Sequence, residues 1–406
     1  MQWLSRVMLK LLIENTLVKV VGMEKEYKIL GNYIRLVDER NRDLAVTKLL
    51  GVSISKKFIP SIANIVGTDL SNYKIVRTGQ FAYGPVTSRN GEKISIAYLD
   101  EEDCIISSSY TVFEVENKEE LDPEYLMLWF SRPEFDRYAR YKSHGSVREI
   151  FDWNELCMVE LPVPDIEKQR KIVKAYKTIT DRIALKQKIN DNLVSTLQII
   201  YKKMFLESQN TYITKPLADL CSKIGSGATP KGGKAAYFDK GISLIRSMNV
   251  FDYFFSYPEL AHISQIQANA LANVEIQQAD VLFNITGVSV TRCCVVPDDV
   301  LPARVNQHVM IIRPYKGKNM SYYIMCTLCT SENKAKLLGI GQSGSTREAI
   351  NKQELERFEI PVPSDEELER FGEIATKIYA LIFSNTNEIR MLCDMKDTLL
   401  TKLSSY

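Results

Sequence analysis

The chain has 406 residues, 45% hydrophobic and 25% charged, which are the proportions of an ordinary globular protein with room for two to four domains. Its net charge of +2 is too small to argue for nucleic acid, so any DNA-binding case must rest on local charge and on architecture. The eight cysteines form no disulfide scaffold, and none of the three histidines (His144, His262, His308) is near the Cys326–Cys329 CxxC, so those two cysteines read as small buried apolar residues, no metal is expected, and a reducing, cytoplasmic compartment fits.

Residues 1–26 read as an N-terminal extension. Apolar positions from Val7 to Val21 are interrupted by Lys10, Glu14 and Lys19, with no small-residue cleavage site after them. A signal peptide is not expected, and residues 1–22 read as an upstream mis-start or a mobile arm. No other stretch reaches the 18 or so apolar residues of a membrane span, so no membrane association is expected.

Residues 27–165 carry short β-like runs (Lys93–Leu99, Tyr110–Val115) broken by Gly, Asn and Pro, then a helix-like stretch from Pro123 to Tyr141. Residues 211–364 repeat the arrangement, with Val309–Ile312 as a strand and Met320–Leu338 as the helical stretch. Both read as α+β domains in which strands support long loops.

A repeat links the two. HGSVREIFDWNELCMVELPVP from His144 matches SGSTREAINKQELERFEIPVP from Ser343 at an offset of 199 residues without a gap. Upstream the match is weaker, with small shifts in register. Gln80–Tyr83 aligns with Val281–Asn284, Ile94–Leu99 with Cys293–Val296, and Tyr110–Val115 with His308–Arg313. Each half therefore reads as one fold with its own loops.

After each Pro-Val-Pro the periodicity becomes helical, with Asp165 and Ser364 as expected N-caps. In 166–210 and 365–406, apolar positions alternate spacings of four and three, the seam of a coiled coil with about 3.5 residues per turn. Both seams turn polar mid-way, at Lys186 and Asn190 and at Asn385 and Glu388. Residues 167–203 hold ten bases against three acids, and residues 365–402 hold eight acids against five bases. The expectation is one antiparallel pair within the chain, its register fixed by Lys186 near Asn385 and Glu388. The alternative is two helices packing on their own domains. At 1.5 Å per residue each helix would span roughly 60 Å, more than one turn of DNA.

No catalytic motif occurs. GATPKGGK (227–234) lacks the phosphate-loop spacing, and there is no Asn-Pro-Pro-aromatic, HExxH or GxSxG. The loops instead suit DNA. Tyr83, Arg89, Asn90 and Lys93 in the first domain, and Asn284, Thr286, Arg292, Arg304, Asn306 and Gln307 in the second, are candidate base contacts. Arg suits guanine, and Asn or Gln suits adenine. Lys56, Lys57, Lys231 and Lys234 are candidate phosphate contacts. The shared Gly-Ser-x-Arg-Glu segment has two readings: Ser146, Arg148, Ser345 and Arg347 meet phosphate, or the arginines pair with acids at the joint between domain and helix.

The two-half layout, the GSxRE-to-PVP joint, the helix start Glu167-Lys168-Gln169-Arg170, the DVLFNITG run from Asp280 and the NQHV run from Asn306 to Val309 resemble the specificity subunits of type I restriction-modification systems. The resemblance covers about 27–406, although Glu366–Arg370 lacks the usual Gln. It implies two target recognition domains, each reading one part of a split, asymmetric double-stranded DNA sequence, separated by two long helices in an antiparallel coiled coil. It implies a non-catalytic chain that binds no cofactor itself. The helices would hold two copies of a modification subunit carrying S-adenosylmethionine, and a restriction subunit would use ATP and Mg. The rival readings are a subunit of a modification-only or otherwise atypical methyltransferase complex, a coiled-coil scaffold for protein partners, and an unrecognised nuclease or transferase.

Overall fold

The computed structural model describes residues 27–61, 67–88, 90–144, 149–230, 232–233, 237–342 and 349–404. These form two compact units. One comprises the described residues up to Ala184 together with those from Ile389, and the other comprises Leu185–Glu388. Among the described residues no helix is long and apolar enough to cross a membrane.

The first unit is built on a four-stranded antiparallel sheet in the order Ile34–Val37, Thr111–Val115, Phe81–Tyr83, Ile96–Tyr98. Its core is aromatic: Phe81 stacks on Phe113 at 4.9 Å, and Phe130 meets both edge-on. Two short helices, Pro123–Phe130 and Pro133–Tyr141, cover it. The first starts where it does because Asp122 accepts the N–H groups of Glu124 and Tyr125 and Pro123 fills the first helical position.

The second unit repeats this sheet in the same order, Cys221–Ser226, Val309–Pro314, Val281–Asn284, Cys293–Val295, with Gly317–Leu328 packed on it. It adds a three-stranded sheet in which Ile242–Ile245 lies between Ala261–Ile263 and Ala303–Val305.

The duplication holds at the level of individual hydrogen bonds. Tyr125 Oη donates to Pro162 O at 2.9 Å, and Tyr323 Oη donates to Pro361 O at 2.8 Å. Strand Tyr27–Ile29 pairs with Glu160–Pro162, and Ile213–Pro216 pairs with Glu359–Val362, so each Pro-Val-Pro closes its unit against the strand that opens it. The structure also corrects the weaker upstream alignment by one residue. Gln80 matches Asp280, because each side chain accepts the N–H three residues back, Arg77 N and Gln277 N, at 2.8 Å. Each also follows a residue of positive φ, Gly79 and Ala279. The shared feature is a backbone turn, which different side chains satisfy.

The long helices are Ile166–Tyr201, followed by a π-helical turn over Lys202–Leu206, and Asp365–Ser404. Both caps form: Asp165 Oδ1 accepts Lys168 N at 2.9 Å, and Ser364 exchanges hydrogen bonds with Glu367. Gln169 is fully buried and ties this joint together, with its Nε2 on Glu120 O and Pro164 O and its Oε1 on Asp122 N. Leu368, at the same place in the second half, is buried in an apolar cluster with Phe371.

In each unit the two helices pack antiparallel. Ile172 and Ile179 lie in one core with Leu392 and Leu399 in the first unit. Leu197 and Tyr201 share another with Phe371 and Ile378 in the second. The polar centre belongs to the second unit. Lys186 Nζ donates to Asn385 Oδ1 at 2.9 Å and lies 3.0 Å from Glu388 Oε2, and Asn385 Nδ2 donates to Asn190 Oδ1 at 2.9 Å. Lys186→Leu strips Asn385 Oδ1 of its donor and removes the ion pair with Glu388 in a mostly buried position. We expect it to lower unfolding stability by roughly 1–2 kcal/mol. An unchanged denaturation midpoint would show that the polar centre does not hold the pairing.

Candidate nucleic-acid interface

The Val281–Asn284 and Cys293–Val295 strands of the second unit are joined by an ordered turn. Gly287 and Thr291 adopt positive φ, and backbone bonds from Val290 N to Gly287 O and from Thr291 N to Asn284 O lock its path. Two other loops meet this turn. The first is Asn306–His308, where Asn306 Oδ1 accepts His308 N at 3.1 Å. The second is the end of Cys221–Ser226, where Gly227 N donates to Asn306 O at 3.2 Å. A Cβ at Gly227 would sit 1.7 Å from Val305 O, so only glycine permits this approach.

Four polar side chains from these loops form one string. Thr229 Oγ1 meets Gln307 Oε1, Gln307 Nε2 lies 3.1 Å from His308 Nε2, and His308 Nδ1 lies 2.7 Å from Thr286 Oγ1. Donors and acceptors alternate consistently in one assignment. The Thr229 hydroxyl donates to the Gln307 carbonyl oxygen, the Gln307 amide donates to Nε2 of a neutral His308, and the Nδ1–H donates to Thr286. The Thr286 hydroxyl and the second Gln307 N–H are then free to donate outward. Gln307 and Thr229 are exposed, and Thr286 and His308 are half-buried. Such a string can offer fixed donors to a hydrogen-bonding edge with little further loss of side-chain entropy at binding.

The turn also touches the joint. Thr286 bridges Ala349, and Ile350 N donates to Ile285 O at 2.9 Å. In the first unit Val86 bridges Ile150, and Phe151 N donates to Pro85 O at 2.9 Å. The repeated joint therefore supports the corresponding turn in both units, while the side chains on the turns differ. In the first unit Thr87 is buried and hydrogen-bonded to Ser143 Oγ and Glu149 O.

The structure divides the sequence candidates. Lys57 and Lys93 are exposed, and Asn90, Thr286 and Arg292 are half-buried on the loops, as a contact role requires. Five others are corrected to structural roles. Tyr83 is fully buried in the aromatic core, and burial pushes its phenol well above the ordinary range. Lys56 pairs with Asp136 at 2.5 Å in a largely buried position, where desolvation lowers its pKa despite the partner. Asn284 is fully buried and its Nδ2 donates to Ser247 O and Val250 O, pinning the loop after Arg246 to the turn. Arg304 is buried, its guanidinium on Ala268 O and Ala303 O and 3.3 Å from Glu275. Asn306, also buried, shapes the turn before His308. Arg89, Ser146, Arg148, Lys231, Lys234, Ser345 and Arg347 lie outside the described residues, so the two readings of the GSxRE segment both stand. Of the CxxC, Cys326 is buried and Cys329 half-buried. His308 and Thr229 escaped sequence reasoning. His308 stood within the NQHV run, but its neighbours there gave no sign that it would bridge Gln307 and Thr286.

A family model, the type I restriction modification DNA specificity domain, matches residues 55–195 and again residues 214–391, well over half of the chain. The chain belongs to this family. It is a type I restriction-modification specificity subunit, and its task is DNA recognition. Among curated relatives, the MjaIX specificity subunit of Methanocaldococcus jannaschii is 21% identical over 300 residues, covering 69% of this chain and 68% of that protein. The HindI specificity subunit of Haemophilus influenzae is 24% identical over 190 residues, covering 45% of this chain and 41% of that one. The crystal structure of a type I S subunit from M. genitalium superposes with a TM-score of 0.57 at 13% identity, covering 94% of this chain and 96% of that one, which is a likeness of fold. The two matched segments of this family correspond to the two halves of the repeat.

Proposed function

We propose that each unit reads one part of a split, asymmetric DNA target, and that the long helices separate the two readers and carry the catalytic partner subunits. One observation carries this reading: the same joint supports the same turn in both units, through Val86–Ile150 and Thr286–Ala349, while the side chains on the two turns differ. A duplicated scaffold with different readers suits two different half-sites.

Apolar side chains left outside the helix seam support the partner reading. Leu185, Ile189, Ile199, Leu381 and Phe383 lie on the long helices yet are at least a third exposed. Exposed apolar side chains beside the seam of a helix pair suit further helices from another protein. The partners proposed are two copies of a methyltransferase subunit, with S-adenosylmethionine bound there, and an ATP- and Mg-dependent restriction subunit. This chain then serves as their address.

The test is a genome-wide map of adenine methylation with the gene present, deleted and restored. The reading predicts that one split motif disappears on deletion and returns on complementation. A methylome indifferent to the gene while the partner methyltransferase is expressed and active contradicts it.

A further inference from the structure

The second unit presents apolar groups that its core does not need, one on the turn of the polar string and one on the loop that Asn284 ties to that turn. Val288, two residues beyond Thr286 at the tip of the turn, is 100% exposed, and Phe254 is 48% exposed. Neither sits on a loose loop. The Phe254 loop is pinned by Asn284 Nδ2 on Ser247 O and Val250 O, by Phe251 N on Phe254 O and by Tyr253 N on Cys293 O. Phe254 also stacks on Phe251 at 5.1 Å and 9° between planes, and the Arg292 guanidinium covers Phe251 at 4.6 Å. Among the described residues no carboxylate pairs with Arg292.

Exposed apolar groups on rigid loops, beside fixed donors and a stacked arginine, fit a surface that mixes apolar and anionic character. In duplex DNA the major groove offers one apolar feature, the 5-methyl group of thymine, next to acceptor edges that a guanidinium can bind. Resting on the proposed DNA-reading role, we propose that Val288 and Phe254 read a thymine methyl in the half-site of the second domain. Arg292, held in place by Phe251, makes the polar contact beside it. Asn284 acts as a positioning residue that fixes the two loops to each other.

The experiment uses the full-length chain co-purified with its methyltransferase subunit, and duplexes carrying the motif found by methylation mapping. The half-site of the second domain is the one that changes when residues 211–364 are exchanged. Each thymine in it, on either strand, is replaced in turn by deoxyuridine, which removes only the methyl group. At one position the wild-type complex is expected to lose about fourfold in affinity, the worth of one buried methyl. Val288→Ala or Phe254→Ala complexes should lose nothing further there, while responding as wild type to deoxyuridine in the other half-site. The proposal is overturned by a half-site without thymine, by deoxyuridine that is silent at every position, or by variants as sensitive as the wild type. If no motif depends on the gene, the DNA-reading role itself fails and this inference falls with it. A clear motif with silent methyls sinks the inference alone.

Discussion

Asp280→Ala is expected to cost the second unit about 3–5 kcal/mol, the penalty for stranding one member of a buried ion pair. Asp280 is fully buried. Its two oxygens accept Arg313 Nε and Nη2, both at 2.7 Å, and Oδ2 also accepts Gln277 N at 2.8 Å. Removing the carboxylate leaves a mostly buried guanidinium with a single remaining backbone acceptor, Glu275 O. The pair sits at the start of Val281–Asn284, the strand whose other end carries the turn of the polar string, so the loss should reach the loops proposed to read DNA. The first unit solves the same problem with a neutral Gln80 whose amide donates to Glu114, itself paired with Arg35. Asp280→Asn, which keeps acceptor capacity, should be milder than Asp280→Ala. Denaturant unfolding of both variants decides the matter: a loss below about 1 kcal/mol for Asp280→Ala would mean that the ion pair is not what holds this corner.

Gly227→Ala should leave most of the fold intact and cripple recognition by the second domain. The added Cβ would lie 1.7 Å from Val305 O, 2.5 Å from Val305 C and 3.0 Å from Asn306 O, all of them backbone atoms of or next to Ala303–Val305, a strand held in place by its parallel pairing with Ile242–Ile245. The segment carrying Thr229 must therefore swing away, and both the Gly227 N to Asn306 O bond and the contact of Thr229 with Gln307 go with it. Losing the alignment of a reader costs about as much as a mismatched base pair or two, so affinity should fall roughly ten- to hundredfold. Titration of duplexes altered in one half-site at a time measures this. The expected variant loses discrimination in one half-site and keeps it in the other. Wild-type affinity would show that the polar string is not at the interface.

How far the sequence was legible depends on what kind of signal each feature left. The repeat, the Pro-Val-Pro joints and the helical seams were readable because periodicity and side-chain identity survive in them. The weaker alignment slipped by one residue at Gln80 and Asp280 because the two share a turn and differ in side chain. Among the candidate contacts, residue type was a poor guide to exposure. Asn284, Arg304 and Asn306 have the chemistry to read bases, but buried backbone groups claim them first, as the unmet needs of tight turns and buried loops require. Tyr83 belonged to an apolar strand whose inward face the alternation did not reveal, since all three residues of Phe81–Tyr83 are buried. The string through His308 and the stack under Phe254 join residues from loops far apart in sequence, and only the fold brings them together.

Two independent readers on one duplicated scaffold should be separable by exchange. Residues 211–364 are replaced with the corresponding segment of a relative of known target, and the methylated motif is sequenced in cells that also carry the partner subunits. One half-site is expected to change to the relative's, while the other half-site and the gap between them stay as they were. A chimaera that folds, supports methylation and changes both half-sites, or neither, would contradict it.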